Sequence, residues 1–100
     1  MLYPGLIIIV RMSEEEFTKK VGAQGRITIP KPIRTIFGIK YHSTVTCEIV
    51  SVNGVAIVKQ FTNRVAASNR ITIPIANRTT AGITCETKVT LKIIEVINNN

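Results

Sequence analysis

The pentapeptide Arg-Ile-Thr-Ile-Pro occurs twice, at 26–30 and at 70–74, and a further arginine follows each occurrence, Arg34 and Arg78. The guanidinium group binds phosphate through two parallel hydrogen bonds and also matches the O6 and N7 acceptors of guanine. Any one arginine can equally be an ordinary surface charge or the structural partner of a glutamate. Because these four recur at matched positions, they favour a shared role in binding an anion.

The arginines belong to a longer internal repeat with a shift of 44 residues. Without a gap, 16 of the 34 residues from 17 to 50 are identical to those from 61 to 94, where chance gives about two. We call 17–50 the first copy and 61–94 the second copy. The repeat predicts one structural unit built twice.

Each copy is predicted to begin with strands and a short helix. Residues 21–29 alternate as a strand does, with a turn at Gln24-Gly25. Lys31-Pro32 can open a helix, since proline is tolerated in the first turn, and Gly38 suits its left-handed end. The second copy repeats this order, with a helix over 75–81. The predicted apolar face of the first helix is Ile33, Ile36 and Phe37.

A hairpin is predicted to follow the first copy. The strand 45–52 leads into Asn53-Gly54, a strong signal for a two-residue turn, and 55–59 returns. The corresponding strand of the second copy, 88–97, has no returning strand after it. Because 5–11 resembles that returning strand, we expect the N-terminal segment to pair beside 88–97.

We expect a single mostly β domain over 1–100, made of two repeats at 5–50, with the N-terminal strand, and at 54–97. The alternative for the N-terminus is a frayed segment, with Met12 as the true start. The insertion Ser13–Glu16 is read as a polar turn or one helical turn, and Glu14–Glu16 as solvated.

Composition narrows the function. Hydrophobic residues make up 45% of the chain and are mostly Ile and Val, which favours strands. The net charge of +7 indicates a nucleic acid or an anionic membrane as partner, or serves solubility alone. Five aromatic residues leave little for stacking on single-stranded bases. Leu6–Val10 is too short for a membrane span and lacks the shape of a signal peptide, so the protein is expected in the cytoplasm.

The residues that could hold a metal or perform catalysis are few. Cys47, Cys85 and His42 do not match a zinc spacing. Both thiols are read as reduced core residues, with a disulfide as the alternative, and His42 as a surface loop residue. No catalytic set is found, so we expect no enzyme, no cofactor and no metal.

The segment Gly25-Arg26-Ile27-Thr28-Ile29-Pro30, followed by Arg34 and then Phe37-Gly38-Ile39, resembles the motif of the AbrB/SpoVT-type swapped-hairpin family. This family, also called looped-hinge helix, includes MazE-like antitoxins. The resemblance covers 17–59 well and 61–97 recognisably. It implies a β-barrel with short helices in which two interleaved units, usually from two chains, are fused here about a pseudo-twofold axis. A lone unit of about 44 residues buries too little surface to be stable.

The resemblance also implies which residues bind DNA. They are the arginines Arg26, Arg34, Arg70 and Arg78, with the basic residues Lys19, Lys20, Lys31 and Arg64 beside them. Thr35 and Thr79 stand where some members carry a further arginine. Asn69 replaces Gly25 in the second copy, and Ile75 replaces Lys31. We therefore expect the second copy to bind DNA more weakly.

The resulting hypothesis is that the chain is a transcriptional regulator that binds double-stranded DNA. The hypothesis does not decide whether the chain also forms a homodimer. One alternative is an antitoxin-type protein that binds a toxin, which is disfavoured because only 98–100 follow the last predicted strand. The other alternative is an architectural DNA-binding or interaction module without sequence specificity. A membrane partner is not expected.

Overall fold

A computed structural model describes residues 6–10 and 15–99, which form seven strands and two short helices. The strands are β1 (Leu6–Val10), β2 (Glu16–Lys20), β3 (Arg26–Thr28), β4 (Thr44–Val52), β5 (Val55–Arg64), β6 (Arg70–Thr72) and β7 (Lys88–Asn99). The helices are α1 (Lys31–Phe37) and α2 (Ile75–Ala81). A 3-10 turn precedes β3 and another precedes β6; we call them the first hinge (Ala23–Gly25) and the second hinge (Ala67–Asn69).

The larger sheet is antiparallel, with β4 and β7 at its centre. β5 runs along the outer edge of β4, and β1 and β2 follow one another along the outer edge of β7. The β1–β7 register, from Leu6 opposite Asn99 to Val10 opposite Glu95, confirms the predicted place of the N-terminal strand. Met12, the alternative start, lies outside the described residues.

The smaller sheet is a two-stranded antiparallel ribbon of β3 and β6, in which Ile27 lies opposite Ile71. These two residues are counterparts in the repeat. Each ribbon strand is three residues long, with a hinge before it and a proline shortly after it. Because proline lacks the N–H that a ladder needs, the ribbon is not extended into the larger sheet. The described strands thus form two sheets that do not close on themselves, so the structure confirms the predicted mostly β fold but not the predicted β-barrel.

Residues 44 positions apart make matching hydrogen bonds between the two copies. The Ile29 N–H donates to the Asn69 carbonyl at 2.9 Å, and the Ile73 N–H donates to the Gly25 carbonyl at the same distance. Each of these bonds joins one copy to the other. A backbone polar group that is removed from water needs such a partner, so each copy completes the hydrogen bonding of the other.

The core lies between the two sheets and includes the inward side of the ribbon, where Ile27 and Ile71 are buried. α1 contributes Ile33 and Phe37 to this core, whereas Ile36 is 37% exposed, so the predicted apolar face is narrower than expected. Seven residues make two turns, and only two of the three apolar positions reach the interior. α2 forms as predicted but buries none of its residues.

Several boundaries differ from the predictions. The strand expected from residue 21 is preceded by β2, which already begins at Glu16, so Glu16 is not part of a turn. Pairing with β7 places these mostly polar residues in a strand although they show no apolar alternation. Residues 11–14, including the rest of the predicted turn, lie outside the described range. The hairpin turn is confirmed, because Asn53 (φ 49°) and Gly54 (φ 81°) both adopt the positive φ that it requires.

The cysteine prediction is right for one residue and wrong for the other. Cys47 is fully buried, but Cys85 is exposed in the loop before β7. The thiols are free, and His42 is exposed in a loop as predicted. Within 6–10 and 15–99, no helix is long and apolar enough to cross a membrane.

Candidate nucleic-acid interface

The outward face of the β3–β6 ribbon carries two arginines and two threonines. Successive side chains of a strand point to opposite sides, and Ile27 and Ile71 point inward. The outward side chains are therefore those of the cross-strand pairs Arg26 with Thr72 and Thr28 with Arg70. The two arginines are diagonal neighbours, a spacing of about 7–8 Å between Cα atoms.

A cleft of about 250 Å³ opens beside this face, between the ribbon and the end of β2. We call it the basic cleft. It is lined by the side chains of Lys19, Lys20, Arg26, Thr28 and Arg70, and by residues 22–23 of the chain. Among the described residues that line it, four side chains are cationic and none is acidic, so the cleft favours an anion.

Arg26 and Arg70, which are counterparts in the repeat, have different partners. Gln24 of the first hinge accepts a hydrogen bond from a terminal nitrogen of Arg26. The counterpart of Gln24 in the second hinge is Ser68, whose side chain is shorter. The Nε of Arg70 is buried, and no hydrogen-bond partner for it is found among the described residues. An unpaired buried donor is costly in stability, so Arg70 gains more than Arg26 from a movement that brings this nitrogen to an acceptor.

Arg34 and Arg78 fasten each helix to the strand end before it. The Arg34 Nε donates to the Ile29 carbonyl at 3.1 Å, and the Arg78 Nε donates to the Ile73 carbonyl at 2.9 Å. Arg78 also lies over Gly25, where an added Cβ would come within 2.5 Å of its Cδ and Nε. Both arginines therefore have a structural role, whatever else they bind.

The remaining predicted site residues lie around this centre. Lys31 is exposed at the start of α1, and Arg64 is exposed at the end of β5. Lys20 lies 3.8 Å from the carboxylate of Glu86, with both side chains largely exposed, so this ion pair is weak. The structure thus brings Lys19, Lys20, Arg26 and Arg70 together in the basic cleft, whose lining does not include Lys31, Arg34, Arg64 or Arg78.

Sequence reasoning missed the role of Asn63, the counterpart of Lys19 in the repeat. Its side-chain amide donates to the Thr72 carbonyl at 2.9 Å, and its side-chain oxygen accepts from the Arg64 N–H at 2.9 Å. A cation in the first copy is thus replaced by a neutral group committed to the backbone. The alignment of the two copies already contained this signal, since the substitution is visible at the matched position.

Other chemistry finds little support in the described residues. Within 6–10 and 15–99, no group of three or more His, Cys, Asp or Glu side chains could hold a metal ion. Burial raises the pKa of the Cys47 thiol to about 12, so it stays protonated at neutral pH and is a poor nucleophile.

A comparison with solved structures finds a similar fold in a chain described as the solution structure of PHS018 from Pyrococcus horikoshii. The TM-score is 0.76 and the sequences are 28% identical, over 85% of this chain and 94% of that one. No family model and no curated protein matches the sequence. Since neither copy exceeds half of the chain, the likeness to PHS018 spans both copies.

Proposed function

We propose that this chain binds double-stranded DNA through the outward face of the β3–β6 ribbon and the adjoining basic cleft, and acts as a transcriptional regulator. One observation carries the proposal. Two arginines and two lysines from separate elements converge on one cleft, and no acidic side chain in the described part of the chain lines it. A cluster of cations of this kind favours the binding of a polyanion such as a nucleic acid.

The shape of the ribbon favours the double helix over single strands. The major groove of B-DNA is about 12 Å wide and admits a two-stranded β-ribbon. On the ribbon face, Arg26 and Arg70 can reach guanine or phosphate, and the lysines at its side can meet phosphates. None of the side chains that line the cleft within 6–10 and 15–99 is aromatic, so these residues give base stacking no platform.

The resemblance to the AbrB/SpoVT-type family supports the same proposal. We interpret the chain as two fused swapped-hairpin units about a pseudo-twofold axis. The matched hydrogen bonds between the copies support this interpretation, and so does the facing of Ile27 and Ile71 in the ribbon. A fused partner makes the pairing intramolecular, which favours assembly at any protein concentration.

The test is duplex binding by Arg26→Ala and Arg70→Ala variants beside the wild type. Each substitution should weaken binding by about 1–3 kcal/mol, roughly 5- to 150-fold. Lys59→Ala is the matched control, because Lys59 is exposed on β5, at the opposite edge of the larger sheet from β2. Equal weakening by Lys59→Ala, or no weakening by either arginine variant, would contradict the assigned face.

Regulation requires sequence preference as well as affinity. Selection from a random duplex pool should enrich a defined site, and the two arginine variants should relax it. If the pool is not enriched although binding persists, the chain is an architectural DNA-binding module and the regulatory part of the proposal is wrong.

A further inference from the structure

We propose that the basic cleft is a binding site for a single phosphate group, which we call the phosphate seat. We further propose that only one side of the ribbon carries such a site. The proposal adds to the proposed function that DNA phosphates are bound on one side of the ribbon only. It rests on that function only in naming a DNA phosphodiester as the phosphate group that is bound. The group that the cleft would recognise is a tetrahedral phosphate oxyanion.

The donors in the cleft suit a phosphate. Lys19 and Lys20 each offer an ammonium group, and Arg26 offers a guanidinium whose orientation Gln24 holds. Thr28 adds a hydroxyl that can donate to an oxygen. Charge-assisted hydrogen bonds of this kind are about twice as strong as neutral ones.

The volume of the cleft also suits a phosphate group. The four oxygens of a phosphate take the place of about four water molecules, roughly 120 Å³. The cleft of about 250 Å³ has room for one such group with some water.

Arg70 supplies an independent reason to expect an occupant. Its Nε is buried yet has no hydrogen-bond partner in the part of the chain that the structure describes. The same residue lines the cleft. This donor is closed to solvent in the free chain, so a phosphate in the cleft would bond it by drawing the Arg70 guanidinium outward, and would thereby relieve the cost of the unpaired group.

The other side of the ribbon differs at one matched cationic position, whereas Lys20 corresponds to Arg64. Where Lys19 lines the cleft, its counterpart Asn63 bonds the Thr72 carbonyl and the Arg64 N–H. The amide therefore offers no charge, and its hydrogen-bonding groups are already used. The difference between Lys19 and its counterpart Asn63 therefore confines phosphate binding to one side of the ribbon.

The first experiment is an NMR titration of the full chain with inorganic phosphate, against sodium chloride at matched ionic strength. The Arg70 Nε–H resonance and the amide signals of residues 22–23 should shift and saturate with phosphate alone. Lys19→Asn should weaken this binding at least tenfold, by removing a direct cationic contact. Lys59→Asn makes the same change on the opposite edge of the sheet and should alter it less than twofold.

Three results would overturn the seat: an equal shift with chloride, binding that survives Lys19→Asn, or equal loss in Lys59→Asn. Amide spectra of each variant establish that it is folded. Should Lys19→Asn fail to fold, Lys20→Asn provides the second test, with the same expected weakening and the same control.

A second experiment uses duplex DNA and distinguishes a DNA phosphodiester from a smaller phosphate compound as the natural ligand. The slope of log affinity against log salt should fall in magnitude by about 1 in Lys19→Asn and rise by about 1 in Asn63→Lys. Phosphate binding without duplex binding would refute the proposed function while keeping the seat for a smaller phosphate compound. Duplex binding with unchanged slopes in both variants would refute the one-sided seat while keeping the function.

Discussion

The two hinges have the same backbone but different side chains. Gln24 (φ 61°) and Gly25 (φ 75°) in the first hinge correspond to Ser68 (φ 63°) and Asn69 (φ 58°) in the second. The hydrogen bonds between the copies use main-chain N–H and carbonyl groups, which almost any residue supplies. The shared backbone therefore constrains the side chains little, and the two copies can diverge in what they bury and what they bind.

The helices show the largest such divergence. Phe37 of α1 is 1% exposed, whereas Ile75 of α2 is 70% exposed. Phe37→Ala should cost about 3–5 kcal/mol of unfolding free energy, because it leaves a cavity in the shared core. Ile75→Ala should change it by about 0.5 kcal/mol or less. Urea unfolding measures both, and equal costs would contradict the unequal burial.

The hinges themselves provide the next comparison. Gly25→Ala places a Cβ at positive φ and against Arg78, whose Nε would have to leave the Ile73 carbonyl. We expect a cost of about 2–3 kcal/mol from backbone strain and one lost hydrogen bond. Asn69→Ala, at the matched position, should cost about 1 kcal/mol or less, since Asn69 already carries a Cβ.

A double-mutant cycle sharpens that comparison. In an Arg78→Ala background, Gly25→Ala should cost less than it does alone, because the crowded side chain is gone. Additive costs would mean that Arg78 does not lie over the first hinge.

The two cysteines differ in burial, which gives a pH dependence. The pKa of the Cys47 thiol is raised by burial from 9.0 to about 12. The unfolded chain therefore releases this proton first, so the stability is present below pH 9 and is lost as the pH rises through about 12. Cys47→Ala should flatten the fall in unfolding free energy between pH 9 and 11, whereas Cys85→Ala should leave it unchanged. The same fall in both variants would contradict the assignment to Cys47.

Much of the fold could be predicted from the repeat and from turn chemistry. Asn53-Gly54 marked the hairpin, Gly38 marked the end of α1, and the missing partner of β7 pointed to the N-terminal strand. These features depend on local backbone preferences or on the internal alignment, and both can be read in one sequence.

The rest depended on tertiary contacts. Glu16–Lys20 has no apolar alternation, so only its pairing with β7 reveals a strand. Cys85 was expected in the core because of its residue type, but its loop lies at the surface. The candidate arginines were identified, yet only the structure separates Arg26 and Arg70 in the basic cleft from Arg34 and Arg78, whose Nε atoms bond carbonyl groups of the main chain.

The central claim is that the ribbon face grips phosphates of double-stranded DNA, and the salt dependence of duplex affinity tests it most directly. With about six basic residues at phosphates, the slope of log affinity against log salt should be near −5. It should become shallower by about 1 in the Arg26→Ala/Arg70→Ala double variant, because both arginines line the cleft that holds one phosphate, and stay unchanged in Lys59→Ala. A wild-type slope below about 2 in magnitude would contradict the account.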